Sequence, residues 1–97
     1  MIWDSLDKFQ KMKRERIAYL VFELYRRDGE AELREFKGSI AVNYGIRRET
    51  VDEYLGDLLS YGMIEIANNK ILLKWDKEKI EAWLKKQGML PREERNE

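Results

Sequence analysis

Apolar residues return every three or four positions along most of this chain and alternate with polar ones only in a short stretch near residue 65. Leu6, Phe9, Ile17, Leu20, Val21 and Leu24 fall on helical steps, with Lys13 in the same register, so residues 5–27 are predicted to form one long amphipathic helix. Asp28-Gly29 ends it, glycine supplying the left-handed cap. Met12, Tyr19 and Phe22, with Trp3 upstream, form a second apolar line on that helix. That is more than one small core needs from a single helix, and it suits burial against another copy. Leu33, Phe36, Ile40, Ala41 and Tyr44 predict a second helix, preceded at 31–33 by a candidate short strand that would pair with a later hairpin. Gly38 lies inside this helix, where glycine costs roughly 1 kcal/mol relative to alanine.

Gly45 marks a tight turn, and a third helix is expected from Arg47 to Tyr61, capped by Gly62. Residues 63–66 and 70–75 then read as two strands joined at Asn68-Asn69, because asparagine tolerates the positive φ of a tight hairpin. Asp76 is placed to cap a last helix, with Trp75 and Ile80 spaced as a hydrophobic staple. That helix should run to Gln87, before Gly88 and Pro91. The pattern predicts one domain over residues 1–90 and a disordered tail over 91–97.

The stretch from Ser39 to Ile66 is thus a helix, a glycine-centred turn, a second helix and the start of a hairpin. Its spacing of Ile40, Ala41, Tyr44, Gly45, Ile46, Val51, Tyr54, Leu55 and Leu58 resembles the winged helix-turn-helix DNA-binding family throughout. The resemblance implies a mainly α fold with a small β-hairpin as the wing. It also implies that the third helix enters the major groove of double-stranded DNA and that its early outward residues meet bases and phosphates. On this chain those positions are Arg47, Arg48, Glu49, Asp52, Glu53 and Gly56, with Thr50 and Asn43 as nearby hydrogen-bonding candidates. Lys37 and Ser39, and the wing-tip residues Asn68, Asn69 and Lys70, stand where relatives grip the backbone. For each of these, an ordinary solvated surface residue is the competing reading.

Charge both supports and opposes that expectation. Relatives often carry Ser or Thr where Arg47 stands, since a hydroxyl caps the helix, and losing such a cap costs about 0.5–2 kcal/mol. Arg47 and Arg48 also put two cations at the positive end of the helix dipole, unfavourable by a few tenths of a kcal/mol each. A doubly unfavourable local choice points to an external anion. Against this, Glu49, Glu53 and Asp57 form an acidic ladder at four-residue steps, and residues 47–62 carry a net charge of −2. The whole chain has nineteen basic and nineteen acidic residues, so its long-range field does not attract nucleic acid. Basic groups on residues 5–28 (Lys8, Lys11, Lys13, Arg14, Arg16, Arg26 and Arg27) give that segment a surplus of +3.

Trp3, Leu6, Phe9 and Met12 at one end, with Ile80, Trp83, Leu84, Met89 and Leu90 at the other, exceed the needs of a three-helix core. A symmetric homodimer through the first and last helices would bury both sets and double every basic contact. Folding back on their own domain is the alternative. A winged helix used as a protein-binding adaptor is the competing function, favoured by the zero net charge and the acidic ladder. Cysteine and histidine are both absent, which removes disulfides, thiolate metal sites and imidazole bases. Without a glycine-rich phosphate loop or a nucleophile beside a base, no enzyme is expected. No cofactor is called for, and no residue demands a small-molecule effector, although a pocket between dimer helices lined by Trp3, Tyr19 or Trp83 is open. With no long apolar segment and no signal-like start at residues 1–10, the chain reads as cytoplasmic and without a membrane partner. Charged residues at 39%, with one Thr, three Ser and two Gln, suit a thermophile. The picture is of a small transcriptional regulator from a bacterium, an archaeon or one of their viruses.

Overall fold

A computed structural model describes the backbone over residues 2–89 and the side chains over residues 10–89. Its elements run α1 (Ile2–Arg26), β1 (Glu30–Glu32), α2 (Leu33–Tyr44), α3 (Arg48–Tyr61), β2 (Ile64–Ala67), β3 (Lys70–Leu73) and α4 (Lys77–Lys86). The fold is mainly α with a small antiparallel sheet, the layout of a winged helix-turn-helix.

The three strands are ordered β1-β3-β2. β3 is central, pairing Ala31 with Ile71 on one side and Ile66 with Ile71 on the other. The wing turns at Asn68 and Asn69, both at positive φ (54° and 61°), which matches the right-handed twist of the flanking strands. Leu33 N–H donates to the Asn69 carbonyl at 2.7 Å, tying the wing tip to the start of α2. At the helix-turn-helix corner, Gly45 sits at φ 67°, and its N–H donates to Ala41 O. A side chain there would be strained, which is why glycine marks the bend.

Leu20, Val21 and Leu24 of α1 meet Phe36 and Ile40 of α2, Val51, Leu55 and Leu58 of α3, and Met63 and Ile71 next to and within the sheet in one buried core. Ile80 and Leu84 belong to that same core and are fully buried in the protomer. This corrects their placement on a dimer face: the helical period shows that α4 has an apolar side, and that side is consumed by the protomer's own core, next to α1. Trp83 and Met89 are half-buried against the core as well. Met12 stays 45% exposed. The side chains of Trp3, Leu6 and Phe9, and all of Leu90 and the 91–97 tail, lie outside the described residues.

One cap differs from expectation, and another uses a longer side chain than usual. Asp76 occupies the N-cap position of α4, but its carboxylate makes no capping hydrogen bond. Glu32 caps α2 instead of a short hydroxyl or amide residue, accepting from Glu35 N–H at 2.8 Å. Helix α1 also begins at Ile2, ahead of the expected start at Ser5.

Tyr25 joins α1 to α4 by donating its hydroxyl hydrogen to Glu81 Oε2 at 2.5 Å. That hydrogen bond, followed by burial, lifts the phenol above its ordinary value of 10.0. Because the folded value exceeds the unfolded one, the contribution is fully present below about pH 10 and is lost as pH rises through the folded value. Thermal melts in the alkaline range should show Tm falling more steeply for the native chain than for Tyr25→Phe. Parallel curves would show that the contact adds nothing.

Candidate nucleic-acid interface

The N-terminal turn of α3 carries Arg47 and Arg48, both exposed. Arg47 occupies the N-cap in extended conformation and makes no side-chain cap, so it leaves the first N–H groups of α3 uncapped. Neither guanidinium has a carboxylate partner among the described residues. Two cations and free N–H donors therefore converge on one helix end, a surface suited to an anion.

Behind this tip, Lys37 of α2 donates from Nζ to Asp52 Oδ1 of α3 at 3.0 Å. The expected phosphate grip of Lys37 and the expected base contact of Asp52 are thus engaged with each other. The Arg48 guanidinium lies against Gly38 of α2, since a Cβ built there would stand 3.1 Å from Nη2. Lys37, Gly38, Arg48 and Asp52 accordingly form one cluster across the two helices. Thr50 is half-buried, whereas Glu49 is exposed.

Ser39 and Asn43 are brought together one turn apart on α2. The Ser39 hydroxyl oxygen accepts from Asn43 Nδ2 at 3.1 Å and from Arg27 Nη2 at 3.1 Å. Its own proton is left to donate elsewhere. At the wing, Asn68, Asn69 and Lys70 are exposed, with Lys70 Nζ 3.1 Å from Glu30 Oε2. The pair is open to water, so it holds the lysine weakly.

Two of the three acids of the ladder, Glu53 and Asp57, meet α1. Lys13 Nζ stands 3.2 Å from Asp57 Oδ2 and 4.0 Å from Glu53 Oε2. Contact with Asp57, then its charge, holds the Lys13 ammonium above the ordinary lysine value. Sequence reasoning left this pairing unread, although a signal existed: Lys13 occupies an apolar register of its helix, and a lysine there needs a carboxylate opposite. It counted Arg27 only among the basic groups, whereas Arg27 bonds Glu23, Glu35 and Ser39 and so couples α1 to α2. Tyr19 stacks on Tyr44 with ring centroids 4.9 Å apart, joining α1 to the end of α2. Trp83 lines a cleft of about 360 Å³ with Ile17, Leu58, Met63 and Tyr61.

No described helix is long and apolar enough to cross a membrane. Neither a protein-family model nor a curated protein matches the chain. Among solved structures, the chain is similar to the catabolite activator protein of Thermus thermophilus, with 23% identity and a TM-score of 0.60. The match covers 86% of this chain and 39% of that one, so the chain spans well under half the length of its structural neighbour. At this identity the likeness is one of fold: the helices and wing described above are arranged as in part of that protein.

Proposed function

We propose that this chain binds double-stranded DNA through the N-terminal turn of α3 and acts as a dimeric transcriptional regulator. The observation that carries the reading is the pair Arg47 and Arg48, exposed and without a carboxylate partner among the described residues at a helix end whose dipole disfavours them. Phosphate oxygens or a guanine edge would supply the missing anion. Asn43, Ser39, Lys37 and the wing-tip residues Asn68, Asn69 and Lys70 flank that contact. The intramolecular pairs of Lys13 and Lys37 draw three of the helix acids away from phosphate, which weakens the objection that α3 is acidic.

A homodimer through the first half of α1 completes the reading, since residues 10–15 are exposed along that helix and Met12 offers an apolar contact. Exposure of Glu49, Asp52 and Glu53 on α3 favours a second reading, an adaptor whose partner is a basic protein.

Titration of a labelled random-sequence duplex at stepped salt concentrations separates the two. A regulator should bind at low ionic strength and lose affinity linearly in log salt. Sedimentation of the free protein at micromolar concentration should return twice the 11.7 kDa chain mass. Absence of duplex binding even at the lowest salt would leave the adaptor, and a strictly monomeric mass would remove the dimer.

A further inference from the structure

Gly38 is an ordinary helical residue of α2, with no positive φ and no turn to make. The backbone therefore gives no reason for glycine, and helix propensity argues against it. What it faces gives the reason. A Cβ at this position would lie 3.1 Å from Arg48 Nη2 and 3.9 Å from Arg48 Cζ, whereas at Gly56 of α3 a Cβ would meet nothing within 4 Å. The Arg48 guanidinium thus lies so near α2 that a Cβ there would be tight against it, and the guanidinium would have to give by a few tenths of an ångström.

The neighbours of that seat act in the same direction. Asp52 stands four residues after Arg48 on α3, near enough along the helix to capture the guanidinium in an ion pair. Lys37, beside Gly38, holds Asp52 Oδ1 at 3.0 Å instead. One residue of α2 occupies the competing carboxylate while the next leaves room for the arginine.

We propose that Gly38 is a positioning residue for Arg48, retained at the expense of helix stability because it lets the guanidinium lie close against α2 and remain free of Asp52 until DNA arrives. The proposal rests on the DNA-binding reading above and deepens it. A long side chain already held near its bound conformation loses less freedom on binding, so removing the seat should weaken binding by roughly three- to tenfold.

The test is a double-mutant cycle of Gly38→Ala and Arg48→Ala, read by anisotropy of a labelled random-sequence duplex and by thermal melting. Gly38→Ala should raise Tm by roughly 4–8 °C through helix propensity while lowering duplex affinity, a divergence that a purely structural glycine would not produce. In the Arg48→Ala background, Gly38→Ala should still raise Tm but leave affinity unchanged. If Arg48→Ala weakens binding and Gly38→Ala does not, the DNA reading stands and the seat is overturned. The seat is equally overturned if Gly38→Ala weakens binding to the same degree with and without Arg48. If neither variant changes duplex affinity, the DNA reading and the seat fall together.

Discussion

Alanine at both Arg47 and Arg48 is expected to weaken duplex binding by roughly 30- to 1,000-fold, since each arginine touching a base edge or phosphate contributes about 1–2 kcal/mol. The loss should depend on salt. Each phosphate contact removed lowers the slope of log affinity against log salt by about 0.9, so the double variant should bind with a visibly flatter dependence. Folding should not suffer. Both side chains are exposed, Arg47 makes no cap, and two cations at the positive end of α3 oppose the helix dipole. Tm of the double variant should hold or rise slightly, so that a loss of binding cannot be ascribed to unfolding. Isotherms that superimpose on those of the native chain would show that the α3 tip does not face DNA.

The elements were legible in the chain because their signals are local. Gly45 and Gly62 at positive φ, the Asn68-Asn69 turn and the helical steps of α2 and α3 each specify backbone geometry within a few residues. The strand expected at 31–33 forms at Glu30–Glu32 and pairs with the wing, because Ala31 supplies a buried residue opposite Ile71. What escaped was whatever depends on a distant partner. Periodicity identifies the apolar side of α4 but not its cover, so Ile80 and Leu84 read as surplus although they are core. The charge pattern identified the acidic ladder of α3 but not Lys13, 44 residues away from Asp57 in the chain, which meets it. Lys37 read as a free cation because its carboxylate, Asp52, lies on the next helix. Gly38 stood out as costly, and the guanidinium that lies against it, that of Arg48, belongs to the next helix.

Glu23 presents the same limit at its sharpest, and its replacement by alanine should be the most destabilising charge deletion in the domain. The residue is 6% exposed on a helix face that otherwise buries Leu20, Val21 and Leu24. Its carboxylate accepts from Arg26 Nη1 at 3.2 Å and from Arg27 Nε at 3.0 Å. Arg27 in turn bonds Glu35 and Ser39 of α2, and its guanidinium carbon sits 5.8 Å from the Phe36 ring centroid. Deleting one partner of a buried pair costs about 3–5 kcal/mol. Here the arginines retain some water, with Arg27 26% and Arg26 59% exposed, so about 1.5–3 kcal/mol is the discounted expectation. For a domain of this size, that corresponds to a fall in Tm of roughly 6–24 °C. Glu35→Ala removes a carboxylate that is 58% exposed and should cost under about 1 kcal/mol. The comparison isolates burial from charge, because both variants delete one acid bonded to Arg27. Equal losses would mean that the network is a surface ornament. A larger loss at Glu23 would show that burial sets its weight, because it anchors the Arg27 guanidinium that reaches Glu35 and Ser39 of α2.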